Sequence, residues 1–190
     1  MEREAIMGRI PPVDAAEMTA EQKALSARVS GPRSGETRGP FPVWLRAPEL
    51  LDRVNELAVY FKDERALPAR LRELAILINA RHWSSEYQWH VHMRHARRLE
   101  IDAAALDAVA AGKPASFPAS NEQAVYDFCR ALLGPDPVSD DAHARAREQL
   151  GLDGVIELVT LVGFYSLIAV AIKGFDVGLP DGQAPYLART

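Results

Sequence analysis

Helix-start signals recur along this chain every fifteen to twenty residues or so, and the apolar residues between them keep a helical period. Thr19 and Gln22 have the spacing of a capping box ahead of a short helix to Val29. Pro48 and Pro68 each open a further segment, at a position where the missing N–H has no helical partner to lose. Leu50, Leu51, Val54, Leu57, Ala58 and Phe61 line one of these segments; Leu71, Leu74, Ala75, Leu77 and Ile78 line the other. Trp83-Ser84-Ser85 then breaks the pattern and offers a serine cap to a helix running to about Leu99, with Glu86 in its first turn. Asp102 caps an Ala-rich helix ending near Gly112, and Ser120-Asn121-Glu122-Gln123 has the form of another capping box. Ser139 caps a charged helix that ends at Gly151, and Asp153 starts a long apolar one that ends around Gly174. No segment alternates with a period of two. The expectation is an all-α fold of about seven helices joined by short loops.

The organisation expected along the chain has three parts. Residues 1–42 form an N-terminal arm, a short helix and a lid-like loop; residues 43–178 form the helical domain; residues 179–190 form a tail. The loop Ser30–Pro42 is rich in Gly and Pro and is long for an idle connection. Its exit delivers Phe41 and Trp44, two aromatics suited to the wall of a small-molecule site.

Composition removes several classes of function. The chain has 190 residues and a formal net charge of -4, and its one basic cluster (Arg94, Arg97, Arg98) sits at the end of a helix, where cations suit the macrodipole. That is not the concentrated basic face a nucleic-acid binder needs. Cys129 is the single cysteine, so no intrachain disulfide and no Cys-x-x-Cys pair is available. The N-terminal segment lacks a long apolar stretch of signal-peptide type, and the expected setting is reducing and cytoplasmic. Val155–Ile172 approaches the length of a membrane span, but it contains Glu157, Thr160 and Ser166 and is interrupted by Gly163. It reads as a helix buried in the protein or in an oligomer, without a membrane.

The chemistry-bearing residues concentrate between Leu71 and Leu99. Four of the five histidines lie from His82 to His95. On a helix beginning at Ser85, a rotation of about 100° per residue brings Gln88, His92 and His95 within roughly 80° of that serine. Such a face is poor core material, because each polar group needs a partner once buried, and good pocket material. Glu73, on the preceding helix, is placed to pair with an imidazole and set its tautomer. The plainer reading is a solvated or satisfied histidine, which is what a lone helical histidine more often is. His92 and His95 are three apart with no third ligand at a recognisable spacing, so no metal is expected. Cys129 lies on an apolar helical face and reads as a small core residue.

Arg72-Glu73-Leu74-Ala75-Ile76-Leu77, then Trp83-Ser84-Ser85-Glu86-Tyr87-Gln88-Trp89, then His92, resembles the carboxymuconolactone decarboxylase superfamily, which includes the alkylhydroperoxidase D-like proteins. The likeness extends over roughly residues 40–178. It implies an alkylhydroperoxidase D-like helical bundle that assembles as a homo-oligomer, a trimer or a multiple of it, with a site at the start of the central helix. In the peroxidase branch a Glu is followed at twelve residues by a Cys, three later by a second Cys, and four later by a His. Counted from Glu73, those positions are Ser85, Gln88 and His92, and the histidine between the branch's cysteines is Tyr87 here. A hydroxyl and an amide cannot form a disulfide or reduce a peroxide, so thiol-redox chemistry is excluded at this motif.

The decarboxylase branch is more similar in lacking the cysteines and keeping the histidine. It implies a cofactor-independent lyase or isomerase acting on a small carboxylated lactone or related carbonyl compound of aromatic catabolism. In that reading Glu73, Ser85, Tyr87, Gln88 and His92 are the catalytic group. His92 protonates an enolate-like intermediate, and Ser85, Tyr87 or Gln88 donates to the oxyanion. Arg81 or Arg94 holds a substrate carboxylate, and His95, Trp89, Phe41 and Trp44 complete the substrate site. The competing reading is a non-catalytic oligomeric binding protein that kept the pocket and lost the redox pair.

Overall fold

The computed structural model describes residues 8–30, 38–63, 65–179 and 183–187. Every regular element among them is helical: α1 (Ala20–Ser30), α2 (Phe41–Trp44), α3 (Pro48–Tyr60), α4 (Ala69–His82), α5 (Glu86–Arg98), α6 (Ala103–Ala110), α7 (Ser120–Leu133) and α8 (Asp140–Phe175). The chain divides into two units, one made of residues 1–63 with 170–182 and the other of residues 64–169 with 183–190.

In the first unit, α1 begins as its sequence dictates. The Thr19 hydroxyl accepts from the Gln22 N–H, and the Gln22 side chain accepts from the Thr19 N–H, so two orphan donors are satisfied reciprocally. Phe41 and Trp44, expected at the exit of a loop, form the short helix α2 instead. Pro42 holds a helical φ there, and the backbone N–H groups of Val43 and Trp44 bond back to Pro40. Of the lid-like loop, residues 31–37 lie outside the described residues. Arg46 donates to the carbonyls of Pro11 and Pro12, which gives the N-terminal arm a partner.

In the second unit, α4 is the central element. Leu71 and every residue from Glu73 to Ala80 are buried, because α5, α6 and α7 all pack against it. Burial therefore extends beyond the expected apolar face and takes in Glu73 and Asn79, as a helix enclosed on several sides requires. Arg70 and the fully buried Glu122 form an ion pair, and a second guanidinium nitrogen of Arg70 bonds the Leu99 carbonyl, so the start of α4 is tied to α7 and to the end of α5. The capping box expected from Ser120 and Gln123 does not form: Gln123 accepts from the Phe117 N–H and Ser120 donates to Gln149. The caps at Asp102 and Ser139 are present, on the N–H groups of Ala105 and Ala142.

The stretch α8 is two helices in series. At Gly151 the backbone takes φ 71° and ψ 177°, a conformation open essentially to glycine alone, and the helical path is interrupted there. Its apolar part is long enough by length and composition to cross a membrane, yet 56% of that part is buried inside the protein. The buried Glu157 accepts from the Leu67 N–H and Asn79 donates to the Val162 carbonyl, so this helix carries polar ties to the rest of its unit. Leu152, Ile156, Val159 and Leu167 of the same helix stand exposed.

Candidate active site

The site is built where α4, α5 and the middle of α8 meet in the second unit. The turn between α4 and α5 sets its geometry. Ser84 has a positive φ of 50°, and Ser85 is the residue ahead of α5. The Ser85 N–H bonds the Ala80 carbonyl, which closes the end of α4. Ser84 or Ser85 is the expected cap of α5, but the helix has no side-chain cap, and the Ser85 Oγ is buried without a partner. The tight reversal lays α5 back along α4. It brings together Glu73 and His92, nineteen residues apart: Nδ1 of His92 lies 2.7 Å from Oε2 of Glu73. Their side chains are only 15% and 11% exposed.

This contact fixes the electronic state of the imidazole. A carboxylate accepts only, so Nδ1 carries the hydrogen and Nε2 is left as the nitrogen that exchanges a proton with other groups. On Glu73, burial pushes the carboxyl upward; the hydrogen bond from His92 and the charges of His92, His95 and Arg72 more than offset this, and the net direction is downward. Glu73 is accordingly ionised at neutral pH. The neighbouring His95 ring lies 6.0 Å from that of His92. Partial burial lowers the His95 pKa, the Glu73 charge works against this, and the charges of His92, Arg98 and Arg94 lower it further.

One turn before His92, Gln88 is buried. Its amide nitrogen donates to the Tyr165 carbonyl at 3.0 Å, while its amide oxygen is buried without a partner. Buried polar atoms of this kind are uncommon and mark places where water or a ligand completes the bonding. The Tyr165 ring meets His92 edge to face at 5.2 Å, so one residue of α8 touches both Gln88 and His92. A hydrogen-bond chain steadies this contact: Ser166 accepts from Asn79 and from the Trp83 indole. Trp89 is buried and stacks on Tyr186 at 6.0 Å, while the Glu86 carboxylate accepts from the N–H groups of Tyr186 and Leu187.

The expected residues fall into three sets. Glu73 and His92 are in contact; Ser85 and Gln88 lie on the same helix start, and His95 is one turn beyond His92. Tyr87 is half-buried at the first turn of α5. Arg81 departs from its expected role: it lines a separate cavity with Tyr126 and Arg130, which includes none of Glu73, Ser85, Tyr87, Gln88 and His92. Phe41 and Trp44 belong to the first unit, where they pack edge to face on each other, and Trp44 packs on Phe175. Tyr165 was not anticipated. The signal available was the Gly163-Phe164-Tyr165-Ser166 interruption of an otherwise aliphatic helix. Among the described residues no group of three or more His, Cys, Asp or Glu side chains converges on a point that would hold a metal ion.

No protein-family model matches the sequence, and no curated protein matches it either. A solved structure does: a cysteine-to-alanine variant of the debrominase Bmp8 in complex with 2,3,4-tribromopyrrole, with a TM-score of 0.71 at 12% identity. The similarity covers 95% of this chain and 94% of that one. The fold is alkylhydroperoxidase D-like. At that identity the likeness concerns the fold alone, and the reaction must be argued from the side chains.

Proposed function

We propose that this protein is a cofactor-independent acid–base enzyme, of lyase or isomerase type, acting on a small carboxylated lactone or a related carbonyl compound. The observation that carries the reading is the His92–Glu73 pair beside two buried, unpartnered polar atoms, Ser85 Oγ and Gln88 Oε1. A carboxylate-oriented imidazole can move a proton near neutral pH. The Ser85 hydroxyl has a hydrogen to donate to an oxyanion that develops next to it, and Tyr87 supplies a second hydroxyl on the same turn. In such a reaction, transfer of an α-proton to Nε2 of His92 leaves an enolate and the imidazolium returns that proton to carbon; where the enolate arises by loss of carbon dioxide, the proton comes from a His92 already protonated from solvent. Thiol-redox chemistry is not available at this motif. Cys129 is fully buried, and burial pushes its thiol pKa far up.

The ligand of Bmp8 in the solved complex is a small halogenated heterocycle. We therefore include planar aromatic heterocycles beside lactones and enols in the screen that tests this reading. Compounds that raise the melting temperature of the wild type are then offered as substrates to the wild type and to His92→Ala. Turnover by the wild type with loss in a folded His92→Ala supports the proposal. Undiminished turnover in the variant refutes the role of His92. Binding without conversion favours the second reading, an oligomeric binding protein on the same scaffold.

The assembly proposed is a homo-oligomer. The exposed Leu152, Ile156, Val159 and Leu167 recur along one helix at spacings that fall on one side of it, an apolar stripe that a second copy would cover.

A further inference from the structure

A cavity of about 360 Å³ opens in the second unit, away from Glu73 and His92, between the end of α4, the end of α6 and the second half of α7. Its polar lining is rich in donors, with the His82 ring beside them. Arg81 comes from α4, Lys113 from the turn after α6, and Arg130 and Tyr126 from α7. No Asp or Glu lines it. Among the described residues, none of the three cations has a carboxylate partner. Arg81 has a buried Nε without a partner, and its one side-chain contact is a long one, 3.4 Å from Nη1 to the Ser84 hydroxyl. An arginine held beside two further cations with its Nε unmatched is an unsatisfied arrangement, because like charges repel and a buried donor needs an acceptor.

Two details show that the fold maintains this arrangement. Gly112 sits at φ +69°, and a Cβ there would fall 2.7 Å from Nη2 of Arg81; the glycine lets the backbone approach the guanidinium. The Tyr126 hydroxyl accepts from the Ala115 N–H and from Nη1 of Arg130, both at 3.0 Å. With two N–H groups donating to it, the hydroxyl keeps its own hydrogen for an acceptor. The rest of the lining includes His82, whose pKa is lowered by partial burial, and the apolar Ile78, Val109 and Leu133. The volume lies at the lower end of the range for small-molecule sites.

We propose that this cavity is a second binding site for a small anion with an apolar body, of the aromatic-carboxylate class. The carboxylate sits among Arg81, Lys113 and Arg130 and accepts the Tyr126 hydrogen. The ring lies against Val109 and Leu133. The site stands independently of the function proposed for His92, since it shares no residue with it.

The test is calorimetric titration of the full chain with benzoate, inorganic phosphate and benzyl alcohol in a non-coordinating, low-salt buffer. Benzoate is expected to bind and to do so more tightly than phosphate, while benzyl alcohol, which keeps the ring and loses the charge, is not. The exposed Arg130 and Lys113 allow Arg130→Gln and Lys113→Gln without disturbing the core, and each is expected to weaken benzoate by about tenfold. His92→Ala is expected to leave benzoate affinity unchanged, which separates this site from the first. Amide shifts at Gly112 and Lys113 in nitrogen-15 spectra locate the binding. Failure of benzoate to bind overturns the proposal. Equal binding of benzyl alcohol, phosphate binding more tightly than benzoate, or affinity lost in His92→Ala but kept in Arg130→Gln, overturns it as well.

Discussion

Replacing His92 with leucine removes the hydrogen-bond partner that offsets the burial of Glu73. The side chain of Glu73 is 11% exposed, and burial is the largest influence on its pKa, directed upward. In the wild type the His92 contact and nearby positive charge reverse that direction, so the ionised form is favoured in the folded state. The sign of the linkage follows. A carboxyl with a depressed native pKa contributes stability that is present above its unfolded value and lost as pH falls through the native one. In His92→Leu only the weaker charges of His95 and Arg72 remain against desolvation, and the Glu73 pKa is expected to move above 4.5. The contribution then changes sign: stability is lost as pH rises from the unfolded value through the raised native one. Each unit of raised pKa costs about 1.4 kcal/mol at neutral pH, and an orphaned buried charge in other proteins costs about 3–5 kcal/mol. The expected loss is about 2–4 kcal/mol at pH 7 and shrinks as pH falls below the unfolded value, where Glu73 of the variant becomes protonated in both its folded and its unfolded state. Urea denaturation of wild type, His92→Leu, Glu73→Gln and the double variant across pH 4–8 measures it. Glu73→Gln in the His92→Leu background should restore stability at pH 7, with a coupling of about 2 kcal/mol. A pH-independent loss, or a coupling near zero, would show that the 2.7 Å contact does not carry the charge compensation argued here.

Three further outcomes are expected. Gly151→Ala should cost about 1–3 kcal/mol in urea denaturation; a Cβ there meets nothing within 4 Å, so the loss is backbone strain alone, and an unchanged midpoint would mean the chain relaxes out of that conformation. Cys129 should react with a thiol reagent only at the rate of unfolding, because it is fully buried and burial raises its pKa; fast labelling of native protein would refute this. Ile156→Glu combined with Leu167→Glu should reduce the mass seen by light scattering while leaving helicity unchanged, and a wild type already monomeric at micromolar concentration would remove the basis for the oligomer.

Local chemistry made much of this fold legible. Thr19, Asp102 and Ser139 act on N–H groups within three residues, and Gly151 breaks a helix through its own φ, so each is decided by near neighbours. The Glu73–His92 contact was also readable, because a tight turn at Trp83-Ser84-Ser85 forces two successive helices to be adjacent. What was not legible depends on distant partners. Ser120 opens a capping box in sequence, but its hydroxyl is claimed by Gln149 from α8. Ser85 stands at the capping position, yet its hydroxyl is turned away from the helix amides. Tyr165 joins the site from a helix that reads as aliphatic, seventy-three residues beyond His92. Arg81 follows the apolar face of α4 in sequence, but only the glycine turn after α6 and the cations near α7 explain the cavity it lines.

The clasp between Glu86 and the backbone of Tyr186 and Leu187 closes a loop of 100 residues or more. Contacts at such separation are entropically expensive to form first, whereas the α4–α5 reversal is local and closes early. Assembly therefore has an order. The Glu73–His92 pair is expected to form before the C-terminal segment settles over Trp89, and a chain lacking residues 183–187 should still bring the pair together. Trp89, stacked on Tyr186 in the finished protein, is placed to record that last step as a late phase in its fluorescence.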